Sequence, residues 1–232
     1  MQKIDIVIPY YNRSDLIQET LRPIHNDSRI NKIIIVDDKS NMCDLVKLND
    51  ICINYEKVEI KLHDNNLGMF YNKRRAVEYS TTNYCILLDS DNIIDSSFLD
   101  AIYKEDWKTN TIFTSSFARP NFDMTDLSNV IYTKNNVKEI FDKYKFGSLC
   151  LNVGNYFINK NEYLKVHNYD NYKYGAADVI FLAYLWFNSN NQIKVVDKLE
   201  YFHRVHDNST YSIDIENNLK YSKQVKQLIL NL

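Results

Sequence analysis

Tyr84-Cys85-Ile86-Leu87-Leu88-Asp89-Ser90-Asp91 is an apolar, strand-like run that delivers two carboxylates at its carboxyl end. Residues i and i+2 of an extended strand share a face, so Asp89 and Asp91 can both meet one divalent cation if the chain does not turn before Asp91. A second run, Ile33-Ile34-Ile35-Val36, ends the same way in Asp37-Asp38. Strands covered on both faces read as continuous apolar stretches, and ligands of open α/β sheets bind beyond the carboxyl ends of such strands. Two strands finishing in acidic pairs therefore predict a metal and nucleotide crevice along one edge of a mostly parallel sheet.

Outward from that run, strand, loop and helix alternate, which predicts α/β layering. Ile4 to Ile8 reads as a strand ended by Pro9, then a loop Tyr10-Tyr11-Asn12-Arg13, then a helix capped by Ser14 with Ile17, Leu21 and Ile24 on its apolar stripe. A helix holding Leu45, Val46 and Leu48 follows the second strand, and Val58 to Leu62 alternates as a third. Asn65-Asn66-Leu67-Gly68 is a turn, Met69 to Tyr79 a helix, Ser97 to Tyr103 another, and Ile112 to Ser116 a strand. Further on, Lys134 to Tyr144 reads as helix, Tyr156 to Ile158 as strand, and Asp178 to Phe187 as a helix apolar on most faces and hence buried. Ile193 to Val196 is a late strand, and Ile215 to Leu230 closes the chain as a helix. Residues 1–116 form the expected nucleotide half and 117–232 the expected acceptor half of one continuous domain.

With 232 residues the chain can bury a full core. Its formal net charge of -2 lacks the basic footprint of nucleic-acid binding, so a phosphorylated ligand has to be held by local groups and a cation. The cysteines Cys43, Cys52, Cys85 and Cys150 form neither a CxxC pair nor a zinc pattern, which fits a reducing, cytoplasmic compartment. No apolar run approaches the roughly 20 residues of a bilayer span. Any membrane association is expected to be peripheral, at the cytoplasmic face.

Five groups are candidates for chemistry. Asp91, with Asp89 and Ser90 in its loop, can place a cation against a diphosphate, although Asp at a strand end also serves as a plain turn cap. Asp38 can accept from a pyrimidine imide or a ribose hydroxyl. Lys73-Arg74-Arg75 follow the Asn66-Leu67-Gly68 turn on one helix, which cannot show all three on one side; Lys73 or Arg74 is the expected phosphate contact. His203-Arg204-Val205-His206 offers two imidazoles, either of them a suitable third ligand for Mg or Mn, with Arg204 pairing elsewhere or reaching phosphate. Asp178, after Gly175-Ala176-Ala177, is either a helix cap or a general base.

Taken in order, Val7-Ile8-Pro9-Tyr10-Tyr11-Asn12-Arg13, Val36-Asp37-Asp38-Lys39-Ser40, Asn66-Leu67-Gly68, Leu88-Asp89-Ser90-Asp91-Asn92 and His203-Arg204-Val205-His206-Asp207-Asn208-Ser209 resemble family 2 glycosyltransferases of the GT-A fold. The resemblance implies a Rossmann-like, mostly parallel central sheet flanked by helices, with a smaller acceptor-side region. It implies an inverting enzyme that moves a sugar from a nucleoside diphosphate, by family habit a UDP-sugar, to a glycan, lipid-linked or protein hydroxyl with the help of Mn2+ or Mg2+. Pro9, Tyr10, Asn12 and Arg13 then look like the donor loop and Asp38 like the nucleoside contact. Asn66, Gly68, Lys73, Arg74, Asp89 and Ser90 complete the donor set. Asp91 and His206 look like the metal ligands, Asp178 like the base, and Asn208 and Ser209 like a loop that closes over the donor.

Two positions depart from that pattern. The stretch after the turn reads Asn72-Lys73-Arg74-Arg75-Ala76 where the family often carries Ala-Arg-Asn-x-Gly, and the family's Glu before the base is Ala177. A binding module of the same fold without turnover, and a nucleotidyltransferase that attacks phosphorus, are the alternative readings.

Overall fold

The computed structural model describes residues 1–204, 206 and 209–232. In its first half β1 (Ile4–Tyr10), α1 (Ser14–Leu21), β2 (Ile30–Asp37), α2 (Met42–Cys52), β3 (Val58–Leu62), α3 (Met69–Tyr79), β4 (Tyr84–Leu87) and α4 (Ser96–Ile102) alternate as the sequence pattern predicts. Then come β5 (Thr111–Arg119), β6 (Phe122–Asp123), β7 (Ile131–Tyr132), α5 (Val137–Lys143), β8 (Tyr156–Asn159) and α6 (Lys160–Val166). The chain finishes with α7 (Asp178–Asn188), β9 (Gln192–Phe202), α8 (Thr210–Ile213) and α9 (Ile215–Leu230).

One sheet runs β3-β2-β1-β4-β8-β5-β9-β7, with β6 against β5. Strands β3, β2, β1 and β4 are mutually parallel, whereas β8 enters antiparallel between β4 and β5. A strand from the second half thus sits mid-sheet, and the two expected halves interlock. The β1 and β2 runs are apolar because both faces are covered; Ile4, Ile6, Val7, Ile8, Ile33, Ile34, Ile35 and Val36 are all buried. Among the described residues, no helix is long and apolar enough to cross a membrane.

Pro9 does not end β1, which continues through it to Tyr10. Val7 O accepts from Leu88 N on the β4 side, so the nitrogen two residues on faces the same way, past the last bond between these strands. No ladder donor is needed there, and proline is tolerated.

Ser14 does not cap α1; it is the first helical residue, and Arg13 in the cap position makes no side-chain cap bond. Asp44 of α2 fills that place from another element. Its Oδ1 accepts from Ser14 N at 3.0 Å and its Oδ2 takes the Tyr10 hydroxyl. Burial, and then Asp44 itself, hold the Tyr10 phenol far above its usual value, so it stays protonated and donates. Asp44→Ala is expected to leave a buried hydroxyl and a helix-end amide without partners, at about 1–3 kcal/mol each. A thermal melt should fall by several degrees, at about 2–4 °C per kcal/mol for a chain of this size; an unchanged Tm would show that water replaces the carboxylate.

β9 runs well past the expected Val196. Ser115 pairs with Val196 but Phe117 with Glu200, so β9 carries two extra residues in a bulge where Lys198 has φ +59°. Beyond the bulge, Phe202 exchanges backbone hydrogen bonds with Ile93, at 2.8 and 3.1 Å. That bridge carries the His203 to His206 segment onto the loop that holds Asp91.

Candidate functional site

The site forms where β4 ends. Leu88 N makes the last bond to β1, Asp89 N donates to Asn155 Oδ1 at 2.9 Å, and Asn92 N turns back to Asp89 O at 3.1 Å. The chain therefore turns inside Asp-Ser-Asp, and the two carboxylates do not share a partner as an extended strand would have them do. Asp89 Oδ1 lies 3.2 Å from Lys73 Nζ, while Asp91 Oδ2 lies 3.0 Å from His206 Nε2. Ser90 is buried and contributes its carbonyl, which accepts from Thr20 Oγ1.

Asp89 has room only because residue 154 is glycine: a Cβ there would stand 2.3 Å from Asp89 Oδ2. Burial raises the Asp89 carboxyl above its ordinary value; Asp91 and Asp178 push the same way and Lys73 opposes them.

Lys73 and Arg74, the two expected phosphate contacts, are both engaged by protein groups. Lys73 is 5% exposed and lies between Asp89 and Asp178, with Nζ 2.8 Å from Asp178 Oδ2. Burial drags its ammonium down, but Asp178 and Asp89 more than compensate and hold it above the usual lysine value. Arg74 turns along the helix surface to Glu78 Oε1 at 3.1 Å and Asn168 Oδ1 at 3.0 Å, and Arg75 also pairs with Glu78. Glutamate four residues on captures the guanidinium that the crevice was expected to receive.

Asp178 begins α7 and is 3% exposed. Its Oδ2 is fully enclosed; Lys73 is at ion-pair distance but no donor is aligned for a hydrogen bond to it. The loop before it is tied down by α9, where Asn218 Oδ1 accepts from Ala176 N at 2.9 Å.

Asp38, just past the end of β2, is occupied by the turn it faces. Its Oδ1 accepts from Leu67 N at 2.7 Å and its Oδ2 from Gly68 N at 2.9 Å, and Asn66 Nδ2 returns a bond to Asp38 O. Gly68 takes φ +82°, which a residue with a Cβ rarely adopts. Burial, against those two amides, raises the Asp38 carboxyl. Asn12, at φ +49°, accepts from Asn41 N and Nδ2 and gives its own N–H to Ser40 Oγ, joining the loops after β1 and β2. Arg13 Nη1 donates to Asn12 O at 3.2 Å. Pro9 pairs in register with Val36. Tyr10 points its ring into the core and has no free hydroxyl, whereas Tyr11, which the sequence did not single out, is 47% exposed on the same loop. The signal that could have marked it is an aromatic residue one step beyond the last buried strand position.

Arg204 was the other unassigned group. Its guanidinium donates to Asp91 O, to Leu16 O at 3.0 Å and to Thr20 Oγ1 at 2.9 Å, and pairs with Glu19 at 2.8 Å. It pairs elsewhere rather than reaching outward, and so pins the His206 segment onto α1 and the Asp91 loop. His206, not His203, meets Asp91. His203 is half-buried; burial lowers its pKa, although Asp91 and Asp89 pull it upward. Ser209 caps α8 through Ser212 N at 3.1 Å. Asn208 of the expected closing loop lies outside the described residues.

The donor set suits a hard divalent cation that is shared with a ligand. Two neighbouring ligands of an octahedral ion at about 2.0–2.1 Å stand about 2.9 Å apart, close to the 3.0 Å between Asp91 Oδ2 and His206 Nε2. Among the described residues, no group of three or more His, Cys, Asp or Glu side chains could hold a metal alone. Mg2+ and its relatives are commonly held by one or two protein ligands together with substrate phosphates.

Residues 5–167 match the model of "Glycosyl transferase family 2". The chain is 38% identical over 101 residues to the poly(ribitol-phosphate) beta-glucosyltransferase of Bacillus spizizenii, covering 42% of this chain and 16% of that protein. It is 30% identical over 94 residues to the putative teichuronic acid biosynthesis glycosyltransferase TuaG of Bacillus subtilis, covering 38% of this chain and 36% of the other. These matches thus span well under half of either relative. Among solved structures, the Pyrobaculum calidifontis mannosyltransferase PcManGT, in complex with GDP-Man and Mn2+, superposes with a TM-score of 0.70 at 14% identity, over 97% of this chain and 65% of that one. Residues 1–349 of S. aureus TarS with UDP superpose at 0.64 with 16% identity, over 98% and 64%. With the family model matched from β1 through α6 and 97–98% of the chain covered by these two superpositions, the chain belongs to glycosyl transferase family 2 and has the GT-A fold.

Proposed function

We propose that this protein is an inverting glycosyltransferase that moves a sugar from a nucleoside diphosphate to a hydroxyl acceptor in glycan or polysaccharide biosynthesis. The observation that carries the reading is the convergence of Asp89, Asp91, Asp178, Lys73 and His206, from four separate stretches of chain, at the carboxyl end of β4. Relatives named for polymer glucosylation and teichuronic acid biosynthesis support the pathway class, and neighbours bound to UDP or to GDP-Man with Mn2+ support the donor class. Residues 1–116 are assigned to the donor and 117–232 to the acceptor, with His206 of the second half reaching back to Asp91 on the donor side.

In this reading the Asp38-braced turn of Asn66 to Gly68 shapes the nucleoside pocket, exposed Tyr11 offers a ring face to the base, and Pro9, Asn12, Arg13 and the Ser90 backbone complete the wall. Asp91 and His206 would hold Mn2+ or Mg2+, which when bound supplies positive charge against the leaving diphosphate. Asp178 is the base. Its enclosed oxygen stays with Lys73, which leaves Oδ1 to take the acceptor proton as the acceptor oxygen bonds to the anomeric carbon. The bond from that carbon to the phosphate oxygen breaks, the electron pair leaves on the nucleoside diphosphate, and attack from the opposite face inverts the centre. A UDP-sugar is the first donor to try, and the acceptor is a glycan, lipid-linked or protein hydroxyl.

The test is a panel of nucleotide sugars assayed for nucleoside diphosphate release with Mn2+, Mg2+ or chelator, with product anomers read by NMR. Cation-dependent release with inversion supports the proposal. Pyrophosphate release from a nucleoside triphosphate would move the protein to the nucleotidyltransferases, and donor binding without turnover would make it a binding module, a reading favoured by how little of Asp178 is exposed.

A further inference from the structure

Lys73 is turned into the interior, between two carboxylates. Burying an ammonium is costly unless partners replace its water, and Lys73 obtains two, Asp89 Oδ1 at 3.2 Å and Asp178 Oδ2 at 2.8 Å, from two other elements. The remaining titratable groups set against Asp178 are phenols: Tyr156 from β8, Tyr163 from α6 and Tyr172 from the loop before α7. Burial, and after it Asp178, raise all three, so they are neutral. Among the described residues, Lys73 is therefore the cation in contact with Asp178.

Resting on the transferase reading, we infer that Lys73 is a positioning residue that acts through Asp178. Its ammonium holds Oδ2 and, by holding Asp89 at the same time, fixes the base relative to the loop that carries Asp91. Oδ1 is then the oxygen presented to the acceptor. Lys73 itself touches neither donor nor acceptor in this arrangement, so its removal acts on the chemical step and not on donor binding. Once Asp178 is replaced, Lys73 keeps its contact with Asp89 but has no base left to position.

The experiment is a kinetic cycle of wild type, Lys73→Gln, Asp178→Asn and the double variant, with Lys73→Arg as the charge-retaining control. Misplacing a catalytic group by about 1 Å costs on the order of 10²-fold, so Lys73→Gln is expected to lower kcat by about 10–100-fold while donor KM stays within about twofold. Lys73→Arg should recover part of the loss. In the Asp178→Asn background Lys73→Gln should change kcat by less than about twofold, because residues that act as a unit are not additive. Losses that multiply, or a raised donor KM at unchanged kcat, would overturn the inference and return Lys73 to an independent or phosphate-binding role. If circular dichroism shows that Lys73→Gln does not fold, the same cycle is run with Lys73→Arg and judged on additivity. A wild-type protein with no transfer overturns the transferase reading and this inference with it, whereas wild-type transfer with multiplying losses overturns only the role of Lys73.

Discussion

Asp178→Asn is expected to lower kcat for sugar transfer by about 10²–10⁴-fold, the range that a positioned general base contributes. The amide cannot take the acceptor proton, while the donor side, built on Asp38, Asp91 and His206, is untouched, so donor KM should hold. The same substitution carries a stability cost that has to be measured separately. It removes one of the two carboxylates around buried Lys73, and breaking a buried ion pair costs up to about 3–5 kcal/mol. At about 2–4 °C per kcal/mol, the melt should fall by roughly 6–20 °C. Kinetics are therefore read at a temperature where circular dichroism shows the variant folded. A folded variant with wild-type kcat at saturating acceptor would remove Asp178 from the base role.

The second large effect belongs to Asp91→Ala. The carboxylate is only part-buried, about a fifth of it exposed, and its side-chain partner is His206, so its loss leaves no buried charge stranded. Stability should stay within about 0.5 kcal/mol of wild type, as for most surface changes. Activity should not. A cation against a leaving diphosphate contributes several kcal/mol, and with 1.36 kcal/mol per tenfold the expected loss in kcat/KM is about 10²–10³-fold. Titrating Mn2+ against nucleoside diphosphate release separates the causes: activity restored only at much higher Mn2+ marks a lost ligand, and an unchanged Mn2+ dependence would show that the cation is held elsewhere. The contrast between the two variants is informative in itself, since one removes a charge that the interior needs and the other a charge that faces the ligand.

Much of the first half of the chain was legible because its signals are local. Val58–Leu62 alternates, and Met69–Tyr79 starts after a glycine at φ +82°, so both were bounded correctly from the sequence. The apolar runs of β1, β2 and β4 announce parallel strands covered on both faces. Misreadings arose where a distant residue supplied the missing group. The cap of α1 comes from Asp44 thirty residues away, and the proline in β1 is permitted by where β4 stops pairing. α6 carried no signal strong enough to separate it from the irregular region around it.

The candidate site divides along the same line. Asp38, Asp89, Asp91 and Asp178 were named from residue type and position, since an acid at a strand end or helix start is fixed by local chain geometry, whereas His206 was named ahead of His203 only through the family resemblance. What each one touches was not legible. The turn within Asp89 to Asn92 sends the two acids to different partners, and the bulge in β9 with the Arg204 clamp selects His206 over His203. The helical period places Lys73 on a different side of α3 from Arg74, but only the packing of α3 against the β4 loop and α7 makes that side the interior. The layered α/β plan and the order in which acids arrive at its edge are legible in the chain alone, because both follow from periodicity and chain direction. Tertiary structure alone decided which charges pair, because an ion pair depends on a separation of about 3 Å between atoms whose positions in sequence carry no record of it.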